Sequence, residues 1–225
     1  AQSWSVISGL AVKERADKAL ESSVKYLETP YGMQICWPSF TKVDDTVGLI
    51  SRCVPGKKEN GAVFNHASSW FILASIINGD VETAFRIYQK MLPLNSSVDN
   101  DKYEIEPYVF AEYITSPDHE TQNQASHSWL TGTAVWMYRI GLDHIIGFKT
   151  SLKGITINPN IPSDWKEYKA SRVFRGKEIN LVVKNPNGKN NGISEFIING
   201  KKSESNFIDV SLYSEEKLNV EITLG

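Results

Sequence analysis

Residues 130–165 read "LTGTAVWMYRIGLDHIIGFKTSLKGITINPNIPSDW", and the spacing of their apolar side chains changes partway along. Over 130–147 the residues are largely apolar and end at Gly147, the pattern of a helix that buries most of its surface. From Gly154 onward Ile155 and Ile157 alternate with polar neighbours, and a proline-rich turn follows, the pattern of a strand. The change puts a boundary near Thr150, between a helical part, 1–149, and a strand part, 150–225.

Outward from that boundary, each side keeps its own period. In "VKERADKALESSVKYL" (12–27), Ala16, Leu20, Val24 and Leu27 recur at helical steps. Residues 67–77 form an almost wholly apolar helix ended by Asn78-Gly79. Asp80 then caps a helix over "VETAFRIYQKML", stopped by Pro93. Gln2-Ser3-Trp4-Ser5-Val6-Ile7-Ser8-Gly9 reads as the last turns of a helix closed by glycine. Short turns between helices predict a layered, all-helical array. On the other side, "EINLVVKN", "SEFIING" and "LNVEITLG" alternate with period two, joined by turns rich in Asn and Gly. These predict a small antiparallel β-sandwich. Helices 67–77 and 130–147 are too apolar for a single packed face, so further neighbours are expected before residue 1. With no initiator methionine and a start inside a helix, a fragment or processed chain is expected.

Composition narrows the function classes. Among 225 residues, 41% are hydrophobic and 22% charged, which fits a globular chain rather than a disordered one. A net charge of −2 argues against a nucleic-acid surface. The longest apolar runs fall short of the roughly 20 residues of a membrane span. The two cysteines, Cys36 and Cys53, are expected to be reduced, and the four histidines lack metal-ligand spacing. No metal and no cofactor are expected. Trp4, Trp37, Trp70, Trp129 and Trp136 are expected to be mostly core.

Two constellations stand out. In "KENGAVFNHASSW" (58–70), Lys58, Glu59, Asn60, Asn65 and His66 crowd against an apolar run. They either satisfy one another or face a cavity where a polar ligand does so. In Thr131-Gly132-Thr133, a hydroxyl, a glycine and a hydroxyl open a helix. That pattern is either simple capping or an anion site, because free N–H groups and the helix dipole favour negative charge. His66 is either a satisfied buried histidine or a further donor to that anion.

"KENGAVFNHASSW", "EPYVFAEYITSPDH", "SWLTGTAVWM" and "GITINPNIPSDWKEY…RVFRG" together resemble the C-terminal part of the inverting disaccharide phosphorylases of glycoside hydrolase family 94. The likeness is nearer to the cellobiose phosphorylases than to the chitobiose phosphorylases. It implies the final helices of an (α/α)6 catalytic barrel over 1–149 and a C-terminal β-sandwich over 150–225. It further implies cleavage of a β-glucosidic bond by inorganic phosphate, giving α-glucose 1-phosphate with inversion. Phosphate would be a co-substrate, held by His66, Thr131 and Gly132. Lys58, Glu59, Glu112 and Cys53 would stand on the acceptor-sugar side. Cys53 occupies a position where cellobiose phosphorylases tend to carry an aromatic, and Glu112 one where glutamine is usual. The general-acid aspartate would lie before residue 1, so Asp44, Asp45 and Asp118 are not assigned that role. The remaining expectations are a disaccharide ligand, the rest of the same enzyme as partner, a homodimer when complete, and a cytoplasmic location. The alternatives are a β-glucan hydrolase on the same barrel or a non-catalytic carbohydrate-binding module.

Overall fold

The computed structural model describes residues 1–93 and 99–225. They separate into two compact units, Ala1–Tyr138 and Arg139–Gly225.

The first unit is built around one apolar helix. α1 (Gln2–Ile7) ends where Gly9 turns left-handed, at φ +72°. α2 (Lys13–Leu27) turns Ala16, Leu20 and Ser23 inward and carries an ion pair between Lys13 and Asp17. A tight hairpin follows, β1 (Glu28–Thr29) against β2 (Gly32–Met33). β3 (Val63–Phe64) leads directly into α3 (Asn65–Asn78), which Gly79 closes at φ +93°. Asp80 accepts from the Thr83 N–H at 3.1 Å and caps α4 (Val81–Lys90).

Of α3, Phe71, Ile72, Leu73, Ala74 and Ile76 are buried, and α1, α2 and α4 pack around it. Full burial of a side chain such as Ile72 contributes about 1.5–3 kcal/mol. Ser68 of α3 also donates to the Met33 carbonyl and accepts its N–H, which fixes β2 against the helix. Other helices of this chain thus supply neighbours for most of α3, while Ile77 stays 51% exposed and Trp70 only partly covered.

The all-helical expectation for this part is corrected. After the short α5 (Asn100–Tyr103), β4 (Ala111–Ile114) pairs antiparallel with β3 on one side and β5 (Ala125–Ser128) on the other. Tyr31, Val63, Tyr103, Ala111, Ile114 and Ala125 form a buried cluster on this sheet. The strands are too short for a period-two pattern to show in the sequence. The tryptophan expectation is also corrected. Trp4, Trp37 and Trp129 are exposed, at 42%, 52% and 72%, and Trp70 and Trp136 are only partly covered.

The helix predicted for 130–147 starts later than expected, with α6 at Thr133–Arg139. It widens to π spacing over Ile140–Ile145, in the second unit. There Arg139 and Asp143 form an ion pair, and Ile140 and Ile145 are buried. The strands that follow form two sheets. β6 (Phe148–Thr150), β7 (Ile155–Ile157) and β12 (Phe207–Ile208) make the smaller, in the order β12-β7-β6. The larger contains β8 (Glu167–Phe174), β9 (Lys177–Lys184), β10 (Ile193–Ile198), β11 (Lys201–Lys202) and β13 (Lys217–Leu224), in the order β11-β10-β13-β9-β8.

Ile155, Ile157, Ile179, Leu181, Val183, Leu218, Val220 and Ile222 are buried at alternate positions, as a strand with one covered face requires. One pairing departs from the expected antiparallel pattern, since β13 runs parallel to β9. Asn side chains satisfy the turns. Asn185 is fully buried, donating to the Trp165 and Lys189 carbonyls and accepting the Lys189 N–H at 2.7 Å.

Candidate active site

The unforeseen sheet positions most of the candidate residues. The 53–61 loop precedes β3, His66 is the second residue of α3 just after it, Glu112 lies on β4, and β5 runs on toward Thr131 and Gly132. Asn60 holds the loop in shape. It is fully buried, accepts the Phe40 N–H at 2.7 Å, and donates to the Phe40 and Cys53 carbonyls. Gly61, at φ +84°, cannot be replaced without rearrangement, since a Cβ there would stand 2.1 Å from Ser39 Oγ. Asn65 donates to the Ala111 carbonyl and ties the start of α3 to β4.

The first cluster surrounds Glu112. Lys58 Nζ donates to Glu112 Oε2 at 2.8 Å, and His127 Nδ1 lies 3.1 Å from the same oxygen. The hydrogen bond to Glu112 is the main cause holding the Lys58 ammonium above its ordinary pKa. The Tyr113 ring flanks both partners, 5.3 Å from Lys58 Nζ and 5.9 Å from the His127 ring centre. Lys58 and Glu59 are adjacent in the chain but diverge. Glu59 is exposed, with Oε2 3.9 Å from Cys53 Sγ.

The second cluster surrounds His66. Its Nε2 is buried without a hydrogen-bond partner among the described residues, as is Trp70 Nε1. The imidazole lies 4.7 Å from the Trp70 ring and 6.1 Å from Trp136. Gly132 comes so close that a Cβ there would stand 2.9 Å from His66 Cε1 and 3.3 Å from Nε2. Burial lowers the His66 pKa and so favours the neutral ring. The Thr131 hydroxyl lies 2.6 Å from that of Thr133 and accepts the Thr133 N–H at 3.2 Å. Capping geometry is thus present, and it sits beside a glycine pressed against an imidazole.

The structure thus brings Lys58 to Glu112, Glu59 to Cys53, and Gly132 to His66. Sequence reasoning missed His127 and Tyr113, which reach the site only because β4 and β5 are neighbours. The unassigned aspartates have structural partners. Asp118 accepts from Ser39 Oγ at 2.6 Å, from the Ser39 N–H and from Gln34. Asp44 caps Thr46, and Asp45 pairs with Arg52. Among the described residues, no group of three or more His, Cys, Asp or Glu side chains is arranged to hold a metal ion. No helix among them is long and apolar enough to cross a membrane.

Comparison with known proteins adds an independent finding. Residues 1–147 match the family profile described as "Glycosyl hydrolase 94 superfamily, catalytic domain". The chain is 34% identical over 196 residues to an N,N'-diacetylchitobiose phosphorylase of Vibrio furnissii, covering 87% of this chain and 24% of that protein. It is 34% identical over 201 residues to a solabiose phosphorylase of Paenibacillus borealis, covering 89% and 26%. A cellobionic acid phosphorylase of Neurospora crassa is 33% identical over 192 residues, covering 84% and 24%. The chain spans about a quarter of the length of these relatives.

Proposed function

The chain belongs to the glycosyl hydrolase 94 superfamily, and from that premise we propose that it is part of an inverting disaccharide phosphorylase. In this reading the first unit supplies the last helices of an (α/α)6 barrel and the second a β-sandwich that follows it. The reaction cleaves a β-glucosidic, cellobiose-like disaccharide with inorganic phosphate and gives α-glucose 1-phosphate and a free sugar. The relatives' names carry N,N'-diacetylchitobiose, solabiose and cellobionic acid, so these relatives differ in the disaccharide they are named for.

The observation that carries the proposal is the His66 imidazole, whose buried Nε2 lacks a partner among the described residues, beside Gly132 at the start of α6. A buried polar nitrogen without a partner costs about 1–3 kcal/mol, and a tetrahedral anion relieves such a cost. His66, the Thr131 hydroxyl and the Gly132 backbone N–H are the donors proposed for phosphate. Phosphate is already dianionic near neutral pH, so it needs aiming rather than deprotonation. An in-line attack opposite the leaving oxygen inverts the anomeric centre. Lys58, Glu59, Glu112 and Cys53 are proposed to face the acceptor sugar.

The test is phosphate dependence. The full-length enzyme carrying this chain is incubated with a panel of β-linked disaccharides, with and without phosphate, and the products are resolved. Sugar 1-phosphate of the α configuration supports the reading. Free sugars alone, formed equally well without phosphate, would place a hydrolase on this scaffold instead.

A further inference from the structure

We propose that His127 is a positioning residue: with Lys58 it clamps the Glu112 carboxylate at the acceptor rim. The clamped carboxylate then selects uncharged, hydroxyl-donating acceptor sugars over carboxylate-bearing ones. The inference rests on the phosphorylase reading above and names the acceptor class for it.

The clamp is visible in the contacts made by one oxygen. Lys58 Nζ donates to Glu112 Oε2 at 2.8 Å, and His127 Nδ1 lies 3.1 Å from the same oxygen, within ion-pair distance. The Ser126 hydroxyl hydrogen-bonds the same ring nitrogen at 2.8 Å and fixes the imidazole beside the carboxylate. Among the described residues the recorded contacts of Glu112 fall on Oε2, which leaves Oε1 as an acceptor for a ligand. The side chains of Glu112, Lys58 and His127 are 18%, 35% and 42% exposed, so the group is braced by protein yet reachable by a ligand.

The backbone gives an independent indication. Lys58 and His127 both adopt left-handed conformations, at φ +49° and +57°. Residues with a Cβ adopt this region at a cost of about 1–2 kcal/mol each. Such cost persists where surrounding structure over-determines it, and it clusters at ligand clamps. Here two such residues, Lys58 on the 53–61 loop and His127 on β5, bring their side chains to one oxygen. Tyr113 walls the pair, with its ring against both.

Charge sets the selectivity. An oxygen that only accepts asks its ligand for an O–H or N–H. The lysine at this rim is already engaged by Glu112, and the exposed Glu59 adds a second carboxylate nearby in the chain. A uronate or aldonate therefore brings like charge to a rim whose cation is taken, whereas a neutral sugar brings donors.

The experiment uses the full-length enzyme in the synthetic direction, with α-glucose 1-phosphate as donor. The acceptors are glucose, N-acetylglucosamine, glucuronate and gluconate. Wild type should favour its best uncharged acceptor over the charged ones by at least about tenfold in kcat/KM, the scale of one charge-assisted hydrogen bond. His127→Gly removes the ring without straining the left-handed backbone. It should raise the uncharged acceptor's KM about tenfold, with Tm and the KM for glucose 1-phosphate unchanged. His127→Asn, which tolerates this conformation and offers an amide N–H at the Nδ1 position, should restore most of the affinity. Glu112→Gln should narrow the gap between charged and uncharged acceptors about tenfold.

Unchanged acceptor KM in His127→Gly, an equal shift in the KM for glucose 1-phosphate, or a wild type that prefers gluconate or glucuronate would each overturn the clamp. A wild type that couples acceptors normally while the variants do not differ from it sinks the clamp alone. A wild type that transfers glucose to no acceptor removes the phosphorylase reading and the clamp with it.

Discussion

His66 and Gly132 illustrate how closely a single residue can be constrained. The imidazole leaves no room for a Cβ at Gly132, so Gly132→Ala must displace the ring or the start of α6. If His66 aims phosphate, that displacement should lower kcat/KM for phosphate by up to about 100-fold, since a misplacement of about 1 Å costs that much. Disaccharide KM should change little, and steady-state kinetics varying each substrate separately will show the split. Burial also gives a pH prediction. The folded-state pKa values of His66 and His144 are both depressed from 6.5, in each case chiefly by burial. As pH falls below 6.5, the unfolded chain takes up protons that the folded chain resists, so the stability contribution is full above that pH and declines below it. Thermal melts between about pH 5 and 8 should show lower Tm on the acid side, and His144→Gln should flatten part of that slope.

The elements differ in how much the sequence reveals of them. α2, α3 and α4 were legible because 3.6-residue spacing, Asp80 and Gly79 mark them locally. The long alternation of β9 and β13 was equally plain, although nothing local says that the two run parallel. β3, β4 and β5 were not legible. Their residues are "VF", "AEYI" and "ASHS", and they are strands because partners distant in sequence pair with them. Half of the candidate site was hidden for the same reason. Lys58 and Glu59 stood out in a motif, but His127 acquires meaning only when β5 lies beside β4. A local device offers a clean test at this scale. Asp80→Ala should cost about 1 kcal/mol in urea denaturation, and Asp80→Asn should recover most of it.

At the scale of the whole molecule, the first unit retains an apolar face that its own helices do not cover. Leu130, Val135 and Tyr138 are 65%, 67% and 64% exposed around α6. Val135 and Tyr138 stand three apart on α6 and so share one face of it, where exposed apolar side chains invite association. The 225-residue chain by itself should therefore bind a hydrophobic dye or associate, and Val135→Glu should reduce both. A dye-silent monomer at high concentration would contradict this. The same chain, spanning about a quarter of its relatives, should yield no sugar phosphate from cellobiose and phosphate. Appreciable product would show that every catalytic group lies within it.

The strand order of the larger sheet bears on how the protein is made. β13 is the last of its strands in sequence, yet it lies between β9 and β10. On the ribosome, β9 and β10 emerge first and must wait with unpaired backbone edges until residues 217–224 follow. Closure of that sheet is therefore a late event in synthesis, however quickly the helices settle. Unpaired strand edges recruit other chains. A nascent chain interrupted before Lys217 would carry two of them, and would present itself to chaperones and proteases as unfinished.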